Sequence, residues 1–348
     1  MPPPYGGGEI VSHLLYSGLR NDYDFFLIKR AGHSKAKQQN ISLSSYLFGI
    51  KYLIEVVCHI RRLKPDKIYI GLPKTFGAFL RNSLIIYYCQ FKGISVLAEL
   101  HGMSFPFLTN PIYSHFFKKT INIISKIRVL STSVREYLFL QGYSNKVSVV
   151  DNAIELPLNI NFPVSVRSGF FNLLYLGLIS ENKGFSRLLE VVRKLKEKCI
   201  NNIKINVMGE WYSDDYKASC LEKIRQYVIG DSFVFHGALY HEEKWIRMSE
   251  NDLIIHLTKF DGQPLSIIEC MALGIPAIST YIGGIPEMIT DKSDGFLITH
   301  DEEIVDIIEK LVNHNLDLSS LRINCLNTYD RRFTPEVFYR NMRDFIES

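Results

Sequence analysis

Short runs rich in β-branched and aromatic residues recur along the chain, separated by longer stretches whose apolar positions follow a helical period. This alternation predicts parallel sheets covered by helices. In the first half the strand candidates are Asp24–Lys29, Lys67–Gly71, Ser95–Glu99, Ile127–Leu130 and Val147–Val150, with helices over Ser44–Arg62, Gly77–Phe91 and Ser133–Gln141 between them. The second half repeats the scheme with strands Asn172–Gly177, Lys204–Met208, Phe233–His236, Leu253–Leu257 and Pro276–Ser279. A polar connector over Glu155–Gly169, containing Pro157 and Pro163, separates the halves and reads as a linker. Two doubly wound α/β domains follow, and a length of 348 residues accommodates them. From Phe333 to Ile346 the apolar residues again keep helical spacing, which predicts a terminal helix. The start is unusual: Gly6-Gly7-Gly8 comes only five residues after Met1, where a Gly-rich turn would normally follow a first strand. The expectation is a true start upstream, because a sheet without its central strand loses hydrogen bonding on both sides.

Composition excludes several classes. With 47% hydrophobic residues the chain has material for two cores, so disorder and collagen-like structure are excluded. The long apolar stretch Ile41–Cys58 is interrupted by Lys51 and Glu55, so no membrane span is expected. Met1 is followed by Pro2, Pro3 and Pro4 rather than by the parts of an export signal. The six cysteines are widely separated with no C-x-x-C pair, which suits core thiols in a reducing compartment. Net charge is +4, yet residues 1–160 hold 19 basic and 9 acidic side chains while residues 161–348 hold 21 and 27. A basic half joined to an acidic half points to an anionic partner that touches one domain, whether a membrane surface, nucleic acid or a phosphorylated substrate, with chance as the alternative.

The chemistry concentrates in Phe260–Ile289, FDGQPLSIIECMALGIPAISTYIGGIPEMI. Asp261 precedes Glu269 by eight residues, so a loop carboxylate and a helical one can line a cleft at the carboxyl edge of a sheet. Pro264 fits a first helical turn, and Gly283-Gly284 precedes another helix start whose free N–H groups suit a phosphate or sugar oxygen. Spacing alone leaves a second reading equally open, in which Asp261 and Glu269 are surface acids drawn to a helix N-terminus by its dipole.

This stretch resembles the signature of retaining glycosyltransferases of family 4. Their E-x7-E motif stands here as Asp261-x7-Glu269, flanked by G-x-P at Gly262 and Pro264, then E-x-M-A-x-G-x-P and G-G-x-P-E. The first acid is one methylene shorter than in the family. YLGLISENKG, Tyr175–Gly184, resembles the segment G-R-L-x-x-x-K-G, with Lys183 on the lysine that contacts the donor diphosphate and Leu178 where the family has arginine. Gly6 and Gly7 before Glu9 resemble the G-G-x-E loop near the diphosphate, and His101-Gly102 the histidine that meets the transferred sugar. Asn152-Ala153-Ile154 matches N-[GA]-[IV], a structural signature ahead of the linker, while Gly209-Glu210 and His236-Gly237-Ala238 match segments bordering the base.

The resemblance implies a GT-B fold, α/β, with two doubly wound Rossmann-like domains facing across a cleft. Residues 1–158 would bind the acceptor, 159–330 the nucleotide sugar, and 331–348 would form a helix returning to the first domain. It implies transfer of a hexose from a UDP- or GDP-sugar to a lipid-linked or saccharide acceptor, with retention, in bacterial surface polysaccharide assembly such as O-antigen or capsule. The catalytic set is then Asp261, Glu269, Lys183 and His101, and the donor contacts are Gly6, Gly7, Gly209, Glu210, Gly237, Gly262, Pro264, Leu265, Gly283 and Gly284. No DxD motif is placed for a metal-bound diphosphate, and Asp214-Asp215 reads as a helix N-terminus, so no metal or other cofactor is expected. Partners would be the nucleotide sugar, the acceptor and an anionic membrane surface, with no nucleic acid. The location would be cytoplasmic, peripheral at the inner face of the membrane. Aromatic residues with Lys118 and Lys119 in Phe105–Ile124 form a candidate interfacial element, against the alternative of an internal helix. Rival readings are an NAD-dependent oxidoreductase, for which Gly6–Gly8 lacks G-x-G-x-x-G, a GT-B nucleotide-sugar epimerase, and a catalytically degenerate binding subunit.

Overall fold

A computed structural model of the chain describes residues 7–28, 43–100, 109–142, 146–157 and 169–348. The chain divides into two compact units, and the division is discontinuous in sequence. One unit comprises Leu15–Asp151 with Phe338–Ser348; the other comprises Asn152–Val337 with residues up to Leu14.

The first unit holds a parallel sheet in the order β1 (Lys67–Gly71), β2 (Ser95–Leu100), β3 (Lys126–Val129), β4 (Val147–Val149). Parallel strands need long crossovers, here the helices α3 (Phe76–Phe91), α4 (Pro111–Ile123) and α5 (Thr132–Leu140), while α2 (Leu43–Leu63) leads into β1. Local chemistry marks the starts: Asn110 accepts from Ile112 N at 2.9 Å with Pro111 in the first turn of α4, and Ser131 caps α5 through Val134 N. Phe79, Ile85, Ile86 and Cys89 of α3 are buried against Val96, Ala98, Ile127 and Val129. One charged cluster lies within this core. Arg128 is fully buried, 2.7 Å from Glu99 Oε2, and donates to Val150 O and Asp151 O, while Tyr69 donates to the same Glu99. Phe338 of the final helix α12 (Pro335–Glu347) lies under the Arg128 guanidinium.

The second unit holds six parallel strands in the order β10-β9-β8-β5-β6-β7. These are β5 (Phe171–Leu176), β6 (Ile203–Met208), β7 (Phe233–Gly237), β8 (Leu253–His256), β9 (Ala277–Thr280) and β10 (Gly295–Ile298). The order reverses between β5 and β8, so the loops leaving those two strands open a crevice at their carboxyl ends, where ligands of doubly wound sheets bind. Helix α6 (Phe185–Glu197) buries Phe185, Leu188, Leu189, Val192 and Leu195 at helical spacing against Leu173, Ile205, Val207 and Leu253. Truncating Phe185 would leave a cavity costing about 3–5 kcal/mol.

Several expectations change. Residues 24–28 form no strand; Phe25 packs edge-on to Tyr16 and Phe26 lies against His59, so aromatic contacts replace ladder bonds. Strand β10 follows a turn in which Thr290 N donates to Asp294 Oδ1, a polar signal that the apolar pattern does not carry. Phe333 ends helix α11 (Leu318–Arg332) and is buried in the second unit, so the terminal helix starts only at Pro335. Within the Phe105–Ile124 element, Phe116 meets Phe79 edge-on and Phe117 is buried, whereas Tyr113, stacked on Phe76, stays exposed with Ile112, Lys118 and Lys119, so α4 packs one side inward and keeps the other at the surface. Phe105, Phe107 and most of the linker lie outside the described residues. Among the described residues no helix is long and apolar enough to cross a membrane.

Candidate active site

The loop leaving β5 carries Lys183. Ser180 accepts from Lys183 N and so opens a 3₁₀ turn, Glu181–Lys183, which Gly184 ends in the left-handed conformation at φ +76°. A Cβ on Gly184 would stand 2.2 Å from Leu257 O, so only glycine lets this loop lie against the end of β8. The backbone bond from Lys259 N to Asn182 O, 2.9 Å, closes the same contact. Leu178, at the position of the family's arginine, is exposed and offers no charge.

Asp261 follows β8 and faces both loops. Its Oδ2 accepts from Lys183 Nζ at 2.5 Å and lies 3.0 Å from Nε2 of His256, the buried last residue of β8. Burial of Asp261 favours the protonated acid, but the hydrogen bond from His256 and the charge of Lys183 outweigh it and bring the carboxyl down to about 2. An ionised carboxylate only accepts, so His256 Nε2 carries the proton of that bond. From the other side Gly283, at φ +59°, packs so tightly that a Cβ would stand 1.9 Å from Asp261 O. Gly283 and Gly284 lead not into a long helix but into the three-residue 3₁₀ turn Ile285–Glu287, so they shape the loop rather than open an anion-binding helix.

Glu269 lies on α9 (Leu265–Ala272), which starts directly after Pro264. It is buried at 5% exposure, and its Oε1 accepts from Lys244 Nζ of α8 (His241–Ser249) at 2.6 Å. Gly262 is in the turn before α9, where Gln263 accepts from Asn152 N and so ties the loop to the Asn152-Ala153-Ile154 segment. At Gly7, the first residue of α1 (Gly7–Leu19), a Cβ would come within 3.4 Å of Leu265 Cδ1, which places the start of α1 beside the start of α9. Gly6 and His101 lie outside the described residues.

Three strand ends meet through glycine backbone. Gly177 N donates to Met208 O at 3.0 Å and Gly209 N to Gly237 O at 2.8 Å, and a Cβ on Gly209 would stand 1.8 Å from Gly177 O. Glu210, next along, is exposed, and after burial its negative charge and then its hydrogen bond with Tyr240 raise that phenol. Asp214 and Asp215 open α7 (Asp214–Gln226) behind its cap, Ser213. Among the described residues no three His, Cys, Asp or Glu side chains converge as a metal site.

The structure thus joins Lys183 to Asp261 and adds two partners that spacing did not reveal, His256 for Asp261 and Lys244 for Glu269. A lysine beside an ionised carboxylate, at the switch point of a doubly wound sheet, can exchange that carboxylate for a phosphate.

Residues 160–325 match the family model described as glycosyl transferases group 1. Over 325 residues the chain is 25% identical to an uncharacterized 41.2 kDa protein in the cps region of Klebsiella pneumoniae, covering 88% of this chain and 84% of that one. It is 24% identical over 185 residues to the amylovoran biosynthesis glycosyltransferase AmsK of Erwinia amylovora, covering 50% of this chain and 44% of that one. The crystal structure of Anabaena HepE in complex with UDP superposes with a TM-score of 0.70 at 16% identity, over 85% of this chain and 82% of that one. The fold, two Rossmann-like units with parallel sheets, is that of GT-B glycosyltransferases.

Proposed function

From a group 1 glycosyltransferase domain over residues 160–325, carried on a GT-B fold, we propose that the protein is a retaining, family 4 hexosyltransferase of surface-polysaccharide assembly. It moves a hexose from a nucleotide diphosphate sugar to a lipid-linked or saccharide acceptor. The observation that carries this reading is the Lys183–Asp261 pair at the β5/β8 switch point. Departure of the nucleoside diphosphate builds negative charge on the leaving oxygen. Lys183 offsets that charge, with N–H groups at the start of α1 from Gly7. Asp261, held by the Gly283 loop, accepts from sugar hydroxyls, and Glu269 accepts from the ribose hydroxyls in place of Lys244. Gly209, Glu210 and Gly237 border the base, and Gly262, Pro264 and Leu265 shape the donor's wall. The leaving phosphate helps deprotonate the acceptor hydroxyl, and His101 meets the transferred sugar. The chemistry runs without metal, a reading supported by the role of Asp214 and Asp215 as first-turn residues of α7.

The acceptor side belongs to the basic unit. Leu15–Asp151 with Phe338–Ser348 holds 21 basic and 9 acidic residues, against 19 and 27 in the rest of the chain. That surplus suits an anionic inner membrane face, where each basic residue near the surface contributes about 1 kcal/mol.

The test is direct. Calorimetry with UDP, GDP and their hexose conjugates is expected to give binding to one nucleotide series, and a matched acceptor is expected to receive the sugar with its anomeric configuration kept. Turnover of nucleotide sugar without acceptor would turn the reading toward an epimerase, and binding without turnover toward a binding subunit.

A further inference from the structure

Two donors share one oxygen. Lys183 Nζ and His256 Nε2 both bond Oδ2 of Asp261, at 2.5 and 3.0 Å. A diphosphate that draws Lys183 away removes one donor from a partly buried carboxylate, and a buried charge left short of donors is costly. His256 answers that cost in place. Its side chain is 7% exposed on the central strand β8, and its backbone is fixed: Ser279 Oγ donates to His256 O at 2.9 Å, and Thr280 Oγ1 to Thr258 O at 2.8 Å. The loops around it have no slack either, since Gly184 abuts Leu257 O and Gly283 abuts Asp261 O. Lys183, by contrast, is a flexible side chain that is 34% exposed. One donor is built to stay and the other is free to leave.

We infer that His256 is a positioning residue of the donor site: it holds Asp261 through the step in which Lys183 is handed from the carboxylate to the diphosphate. This rests on the donor reading above. The shorter acid is part of the same arrangement, because Asp261 sits close enough to its own strand end to meet His256, five residues earlier.

The test uses the full chain, with inorganic pyrophosphate as the probe. In a side-chain ¹⁵N spectrum of histidine, His256 is expected as the Nε2–H tautomer, with a signal that persists when pyrophosphate is added and moves in Asp261→Asn. By calorimetry, His256→Leu is expected to weaken pyrophosphate binding by about tenfold or more, the size of a lost hydrogen bond to a charged group. His256→Gln keeps an N–H donor and should bind within about threefold of wild type by the same measure. In a Lys183→Ala background the Leu substitution should add nothing, since there is no lysine to hand over. An Nδ1–H tautomer, wild-type affinity in His256→Leu, or equal losses in both backgrounds would each overturn the hand-off. Absence of pyrophosphate binding in the wild type, with the Nε2–H tautomer intact, would instead overturn the donor reading and the hand-off with it.

Discussion

His256 Nε2 lies 3.0 Å from Asp261 Oδ2, and that bond together with Lys183 holds the carboxyl near 2 rather than at its ordinary 3.8. The sign follows from linkage: a carboxyl depressed in the folded state contributes stability above its unfolded pKa, and loses it as pH falls through the folded one. Asp261 should therefore contribute about 2 kcal/mol at neutral pH that fades between about pH 4 and pH 2. Urea unfolding at a series of pH values should show this slope in the wild type and a flatter one in Asp261→Asn; equal slopes would contradict it.

The Lys244–Glu269 pair predicts a sharper effect. Glu269→Ala leaves Lys244, whose side chain is 19% exposed, without its acceptor, which should cost about 3 kcal/mol of stability. Lys244→Met combined with Glu269→Leu should recover much of that loss, while nucleotide binding, weakened in both variants by loss of the ribose acceptor, stays about tenfold or more below wild type. Chemical denaturation and calorimetry on the three proteins separate the two consequences.

Gly184 and Gly283 set the loops on either side of Asp261. Gly283→Ala puts a Cβ 1.9 Å from a carbonyl oxygen at a positive φ, whereas Gly93, also at positive φ, has open space around it. Thermal unfolding should fall by roughly 6–12 °C for Gly283→Ala, about 3 kcal/mol for a unit of this size, and by far less for Gly93→Ala.

Arg128 supplies a control away from the nucleotide. Glu99→Ala leaves a fully buried guanidinium without its carboxylate and should cost about 3–5 kcal/mol. UDP or GDP affinity measured below the unfolding transition should stay unchanged, because the cluster lies in the other unit.

The sheets were legible in the sequence because parallel strands buried on both faces read as apolar runs, as at Ser95–Leu100 and Leu253–His256. Asp261, Glu269 and Lys183 stood out through the resemblance of two short segments to the family 4 signature, since spacing alone left Asp261 and Glu269 open to a second reading. Their partners did not. Lys244 reaches Glu269 from another helix, and His256 meets Asp261 only because the chain doubles back after β8, a turn that no periodicity encodes. The run at Asp24–Lys29 misled for the complementary reason: β-forming side chains make a strand only where a neighbouring strand accepts their backbone, and there the aromatics found other rings instead.

The discontinuous division of the chain has a consequence for synthesis on the ribosome. The sheet β1–β4 is translated first, yet the residues packed on it include Phe338 and Phe345, which emerge after the whole second sheet. Nascent chains usually complete their N-terminal domain first. Here the earlier sheet must wait, with Arg128 lacking its aromatic cover, until the later sheet has been made, so the last-translated helix sets when the first-translated unit is finished.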